Sequence, residues 1–412
     1  MKTIAGSRRS FLAKARRAIS LVGAAVMMIA ATGGVEAAPS GPPIRIGGTL
    51  ALTGPLAATA LIHKIVGDLY VENLNKANGL LGRPVEWVLY DDQSKPDVTR
   101  SLYDKLVTGD KVDLLIGPYA TGGILSAMAV AERHSKMLVH HTFGIPKLAK
   151  YEMQFSASPS GYDFEETYPN KLVDAILSGD KKPKTIAIIT SKFSSVHFMS
   201  VGAREVAKKR GLQEVLYLEF EFGNRDFGPI AARVRDANPD FLWMGGIALE
   251  GNMLLESLKK LDYTPKNHFH LFPSPGPLAS APEGNLALSV SVFEDHPPFN
   301  TPPVAAAFTK AFKERATKAN LPYTEADLQA ANSFSAWQIL EAAVTATKSL
   351  DDKILAKYIK ANRINTVNGN MRFDGQNNFG DDLFKVKQLQ NGKWVVVWPK
   401  EFAAPGAKII LR

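Results

Sequence analysis

The segment Tyr119-Ala120-Thr121-Gly122-Gly123 is the part of the sequence best suited to hold a ligand. It leads from a strand-like stretch, Val112 to Gly117, into a helical one, Gly123 to His134, and its small residues leave the first N–H groups of that helix approachable. Free N–H groups at a helix start favour an anion such as a carboxylate. The other polar groupings point away from catalysis. His140-His141 invites a metal, yet successive strand side chains point to opposite faces, and with no cysteine and no His/Asp cluster at ligand spacing no metal or cofactor is expected. Asp91-Asp92 is a paired carboxylate at a strand end, but adjacent acids diverge and are expected to set their loop. No Gly-x-Ser-x-Gly elbow, His-Glu-x-x-His, phosphate loop or strand-following Gly-x-Gly-x-x-Gly is present. The chain is expected not to be an enzyme.

The elements that must position this segment alternate. Strands are expected at Ile44 to Leu50, Val85 to Tyr90, Val112 to Gly117 and Met137 to His140, with helices at His63 to Asn78, Pro96 to Thr108 and Gly123 to His134 between them. The alternation restarts after Pro159, with strands at Thr185 to Ile189, Glu214 to Phe220, Phe241 to Gly245 and His268 to Phe272. Helices are expected there at Val196 to Arg210, Phe227 to Ala237 and Glu250 to Lys260. Strand-helix alternation of this kind makes right-handed βαβ units and a parallel sheet covered by helices. The fold class is α/β, as two doubly wound, Rossmann-like lobes. Two long helices, Val304 to Ala319 and Asp327 to Lys348, and strands at Met371 to Phe373, Lys385 to Leu389 and Trp394 to Trp398 complete the chain, with Asn391-Gly392 as a two-residue hairpin turn.

Ahead of all this, Ser7-Arg8-Arg9-Ser10-Phe11-Leu12 and Lys14, Arg16 and Arg17 precede an apolar run from Ala18 to Ala31 and a small-residue exit at Val35-Glu36-Ala37. This reads as a cleavable export signal over residues 1–37, with a string similar to the twin-arginine type. The expected location is the periplasm. Losing six basic residues and one acidic residue lowers the formal charge of +9 by five, to +4. No basic cluster interleaved with aromatics remains, so no nucleic-acid partner is expected. About 375 residues remain, beyond the size at which one core keeps growing.

Four further strings suggest a family. Leu52-Thr53-Gly54-Pro55 follows the first strand, Asn75-Lys76-Ala77-Asn78-Gly79-Leu80-Leu81-Gly82 the first helix, Tyr90-Asp91-Asp92-Gln93-Ser94-Lys95-Pro96 the second strand and Ile116-Gly117-Pro118 the third. With Trp243-Met244-Gly245-Gly246 and Val367-Asn368-Gly369-Asn370-Met371-Arg372-Phe373-Asp374, the chain resembles the leucine/isoleucine/valine-binding family, the solute-binding proteins of ABC importers. The resemblance implies a type I periplasmic-binding-protein fold with a hinge of three crossovers. The first lobe would be residues 44–158 with 297–368, and the second 159–296 with 369–412. It also implies an inner-membrane ABC permease as partner and a monomeric state.

Open α/β sheets bind ligands at the carboxyl ends of their strands. The family's carboxylate loop falls on Tyr119, Ala120, Thr121 and Gly122, and its ammonium and carboxylate loop on Thr142, Phe143 and Gly144, with Gly144 at the place of a threonine. In the second lobe Phe193 and Ser195 replace a tyrosine loop, Ile247 follows Gly246, and Ser274-Pro275 stands where amino-acid-binding relatives carry an acid. A ligand ammonium buried without a counter-charge costs several kcal/mol. The expected ligand is therefore a small carboxylate on a hydrophobic or aromatic body. Branched-chain or hydrophobic amino acids and amides are the alternative within the class, with Glu250 as the substitute acid, and a periplasmic ligand sensor is the alternative outside it.

Overall fold

Ile44–Leu50 (β1) is buried almost throughout, as a strand flanked on both sides in a helix-covered sheet must be. In the computed structural model, which describes residues 38–412, β1 pairs in parallel with Val85–Asp91 (β2) on one side and Leu114–Ile116 (β3) on the other. Leu138–His140 (β4) and Gln154–Ser156 (β5) extend the sheet in parallel, giving the order β2-β1-β3-β4-β5. The helices between them are Ala57–Lys76 (α1), Pro96–Asp104 (α2) and Thr121–Arg133 (α3). The expected export signal lies outside the described residues.

Phe164–Ser178 (α4) enters the second lobe, followed by Thr185–Ser191 (β6), Ser194–Lys209 (α5), Gln213–Phe220 (β7), Gly228–Ala237 (α6), Phe241–Ala248 (β8), Glu250–Lys259 (α7), His268–Pro273 (β9), Pro275–Ser280 (α8) and Leu288–Ser291 (β10). Their parallel core runs β7-β6-β8-β9-β10, the same second-first-third-fourth-fifth order as the first lobe. In this order the connections diverge beside the first strand of each lobe, and ligand loops gather where they diverge.

The chain then returns. Pro303–Lys318 (α9) and Leu328–Thr347 (α10) lie on α1, where Phe334 of α10 packs against Tyr70 with ring centroids 4.8 Å apart and against Phe308 at 4.3 Å. Asp352–Ala361 (α11) follows, and Ile364–Thr366 (β11) with Gly369–Met371 (β12) forms a two-stranded ribbon. From there Phe373 meets Phe155 edge-on, and Asn378 donates to the carbonyls of Glu152 and Gln154, both at 2.9 Å, so residues 373–379 lie on the first lobe. Lys385–Gln390 (β13) and Lys393–Trp398 (β14) add antiparallel strands to the edge of the second sheet. Asn391 and Gly392 both have left-handed backbones, φ 53° and 74°, as a type I′ hairpin turn requires.

Several elements differ from their sequence-based bounds. α1 starts at Ala57, six residues before His63, because Ala57, Ala58, Ala60 and Leu61 are good helix formers that the apolar spacing does not mark. α4 has no clear periodic signal, since Pro169 sits inside it. β10 is short and falls below the sequence signal, and α11 has no counterpart among the expected helices. The strand near Met371 is β12, which ends before Phe373.

Candidate ligand-binding cleft

Gly117-Pro118 follows β3, and Ala120 then turns with φ 70° and ψ 149°, a backbone that an alanine adopts only at a cost, before α3 begins at Thr121. No side chain caps this helix start. It faces a cavity of about 430 Å³ between the lobes. Tyr119, Ala120, Thr121, Thr142, Phe143 and Gly144 form its first-lobe wall. Ser195 of α5, Ile247 of β8 and Phe272 of β9 form the opposite wall, Leu328, Gln329 and Asn332 of α10 the floor, and Ser158, Phe164 and Phe384 the hinge side.

The polar groups of this wall are arranged as donors. Thr121 Oγ1 accepts from the Gly144 N–H at 3.0 Å, which leaves its hydroxyl proton free to be given away. Asn332 Oδ1 accepts from Asn368 Nδ2 at 2.8 Å, and Gln329 Oε1 lies 3.1 Å from His63 Nε2. Burial lowers the pKa of His63 to about 4, so its ring is neutral and Nε2 serves as donor to that oxygen. Both amides thus keep their N–H groups for the cavity. Thr142 Oγ1 is buried and has no partner among the described residues. Among the described residues no Asp, Glu, Lys or Arg lines the cavity.

Eight of the residues singled out from sequence meet here: Tyr119, Ala120, Thr121, Thr142, Phe143, Gly144, Ser195 and Ile247. A register shift in β8 between Met244 and Ile247 turns Ile247 towards the cleft. The bulge rests on Gly245, where a Cβ would stand 2.0 Å from Ser200 Oγ. Four residues lie off the wall. Gly122 belongs to the first turn of α3, but its missing side chain would point at Pro96 Cγ. Phe193 packs on Phe222 at 4.8 Å and does not reach the cavity. Ser274 hydrogen-bonds Thr59 Oγ1 of α1 at 2.7 Å and so ties the lobes together. Pro275 opens α8, and its carbonyl accepts from Trp394 Nε1 at 3.2 Å.

Glu250 is buried beside the cleft, in the wall of a neighbouring cavity of about 930 Å³ that shares Ile247. Its carboxylate accepts from Ser191 Oγ at 3.1 Å and the Ile247 N–H at 3.0 Å, and burial raises its pKa to about 7. The two histidines diverge: His140 Nε2 lies 2.8 Å from Gln154 Oε1, while His141 packs on His63 at 4.9 Å. Asp91 accepts from Thr53 N and Oγ1, and Asp92 from Thr49 Oγ1, so each holds a loop.

Ser158, Phe164, Phe272, Leu328, Gln329, Asn332 and Phe384 join the wall without having been singled out. One signal was available for the α10 group: Gln329, Asn332 and Ser333 form a polar stripe on the buried first half of the helix, where the other residues up to Phe334 are apolar.

The family model described as periplasmic binding protein matches residues 43–393, most of the chain. The chain belongs to the periplasmic binding protein family. Among curated relatives, this periplasmic binding protein is 26% identical to the Leu/Ile/Val-binding protein BraC3 of Rhizobium johnstonii over 218 residues, 53% of this chain and only 58% of that protein. It is 21% identical to the leucine-, isoleucine-, valine-, threonine- and alanine-binding protein of Pseudomonas aeruginosa, over 81% of this chain and 87% of that one. Among solved structures it resembles a leucine-binding protein LivK of Thermotoga maritima (TM-score 0.73, 19% identity, covering 86% of this chain and 97% of that one). It equally resembles an ABC transporter solute-binding protein of R. palustris in complex with benzoate (TM-score 0.73, 18% identity, covering 90% and 99%). These likenesses show the type I two-lobed fold of this periplasmic binding protein.

Proposed function

We propose that this protein works in the periplasm, after removal of residues 1–37, and closes its lobes over a small carboxylate with a hydrophobic, preferentially aromatic, body for delivery to an inner-membrane ABC permease. The observation that carries this reading is the composition of the cleft wall: donors converge from Thr121, Gln329, Asn332 and the open start of α3, and no acid lines it to meet an ammonium. A carboxylate gains from such donors, whereas an ammonium would be buried with no counter-charge. Tyr119, Phe143, Phe164 and Phe272 supply the apolar surround that such a body needs. The hinge crossovers are assigned near 156–159, 292–297 and 368–383. Closure is a population shift, because the ligand touches both walls only when the lobes meet.

The names of the curated relatives favour a second reading, a branched-chain amino acid as the ligand. A thermal-shift screen of the chain from Ala38 against amino acids, amides and aromatic or aliphatic carboxylates decides between them. Ligand at 100 times its dissociation constant adds about 2.7 kcal/mol of stability. Stabilisation by benzoate-type acids and not by leucine is expected. Stabilisation by leucine or isoleucine alone would overturn the carboxylate reading.

A further inference from the structure

A second groove, of about 900 Å³, opens where the crossovers meet, with walls from Phe299 and Val304 on the return to the first lobe, Asn368 on the β11–β12 ribbon, and Lys385 and Phe402 from the second lobe. Lys385 is only 5% exposed. Its ammonium lies 4.6 Å from the Phe402 ring centre and 5.4 Å from that of Phe299, and it donates to the Leu383 carbonyl at 2.5 Å. Among the described residues no carboxylate comes within 4.0 Å of it. The obvious candidate, Asp382, is taken: Lys171 Nζ stands 2.9 Å from its Oδ2, and the Thr167 hydroxyl donates to the same oxygen at 2.7 Å. A buried ammonium without a counter-ion is costly.

Asn368 is a second unfinished group in the same wall. Its Nδ2 donates to the Ala157 carbonyl at 2.9 Å and to Asn332 Oδ1 at 2.8 Å, while its own Oδ1 is buried and has no partner among the described residues. A buried ammonium with no carboxylate partner, set between two aromatic faces in one groove, matches one chemistry. We propose that the hinge-side groove is a second binding site, separate from the cleft, for a small organic anion with an apolar body, its charge on Lys385 and its body against Phe299, Phe402 and Val304. Because the walls come from both lobes, an occupant binds one hinge geometry better than another. Asn368 touches this groove while its partner Asn332 lines the cleft, so the two sites share one hydrogen bond.

Anilinonaphthalene sulfonate, a fluorescent aromatic anion, is the probe, titrated into the full chain from Ala38. One saturable site is expected. Lys385→Met keeps the apolar stem and removes the charge, and should weaken the dye about tenfold or more. Val304 is 56% exposed, so Val304→Asp leaves the fold alone while setting a negative charge in the groove, and it should weaken the dye similarly. It decides the question if Lys385→Met unfolds. Burial lowers the Lys385 pKa to about 8, with Lys171 and Asp382 as its charged neighbours, so dye affinity should fall as pH rises through 8 in the parent and stay level in Lys385→Met. Undiminished dye binding in Val304→Asp would overturn the proposal. So would loss of dye in the cleft variant Gly122→Asp with retention in both groove variants, since the dye would then sit in the cleft. No cleft ligand is used, so the outcome is independent of the function proposed above.

Discussion

Gly144 and Ser195 meet across the cleft so closely that a Cβ on Gly144 would stand 2.6 Å from the Ser195 Cβ. One residue follows β4 of the first lobe and the other sits in the first turn of α5 in the second. The glycine is thus what lets the walls come together, since any side chain at this position would run into Ser195.

Gly144→Ala should therefore hold the lobes apart. Overpacking of this kind costs about 1–3 kcal/mol, so ligand affinity should fall about tenfold while the ligand-free melting temperature stays level. Combining it with Ser195→Gly should restore binding, as expected for directly coupled positions. Calorimetry on the single and double variants tests this, and unchanged affinity in Gly144→Ala would show that closure does not pass through this contact.

The hydrogen bond between Thr59 and Ser274 is a second bridge made only when the lobes touch. Thr59→Val keeps the shape and removes the hydroxyl, and a net loss of about 1 kcal/mol corresponds to roughly fivefold weaker ligand binding. Small-angle scattering should also show a smaller share of compact molecules at subsaturating ligand. Equal compaction in parent and variant would count against the bridge.

Gly122→Asp sets an anion in the first turn of α3 without filling the cavity, because its side chain would leave towards Pro96. A charge at a helix start acts with up to about 2 kcal/mol, so a carboxylate ligand should bind about tenfold more weakly and a neutral amide nearly as before. Equal effects on acid and amide would mean that this helix start does not hold the carboxylate.

Glu250 predicts a pH dependence. Its folded pKa, about 7, lies above the ordinary 4.5, so the fold favours the protonated form. That contribution is complete below pH 4.5 and is lost as pH rises through 7. Glu250→Gln keeps an acceptor for the Ile247 N–H and should be more stable than the parent by about 1–3 kcal/mol at pH 8.5, with little difference at pH 4.5. Urea unfolding at the two values measures it, and a constant difference between them would remove Glu250 as the titrating group.

The repeating strand-helix order was legible because each buried strand and each amphipathic helix must write its burial into its own residues. The same local rule exposed the Asn391-Gly392 turn and the small-residue start of α3. It also separated His140 from His141, since alternation along a strand needs no tertiary contact. What lay below the local signal was interrupted or short: Pro169 inside α4, and β10, whose four residues carry too little pattern.

The cleft was half legible for the same reason. Loops that follow strands announce themselves, so Tyr119, Thr121, Thr142 and Ile247 could be found in sequence. Gln329 and Asn332 come from a helix some 200 residues further on, and Phe384 from the approach to the antiparallel strand β13. Only the return of the chain across the hinge brings them to the same cavity. By itself the sequence determined two α/β lobes and a helix start open to an anion, because these depend on local periodicity and backbone chemistry. The tertiary structure alone decided that, among the described residues, no acid lines the cleft and none pairs with the buried Lys385, and that Pro275 and Phe193 stand off the cleft wall. Each of these is a statement about distance between residues far apart in the chain, and distance across a fold is set by packing.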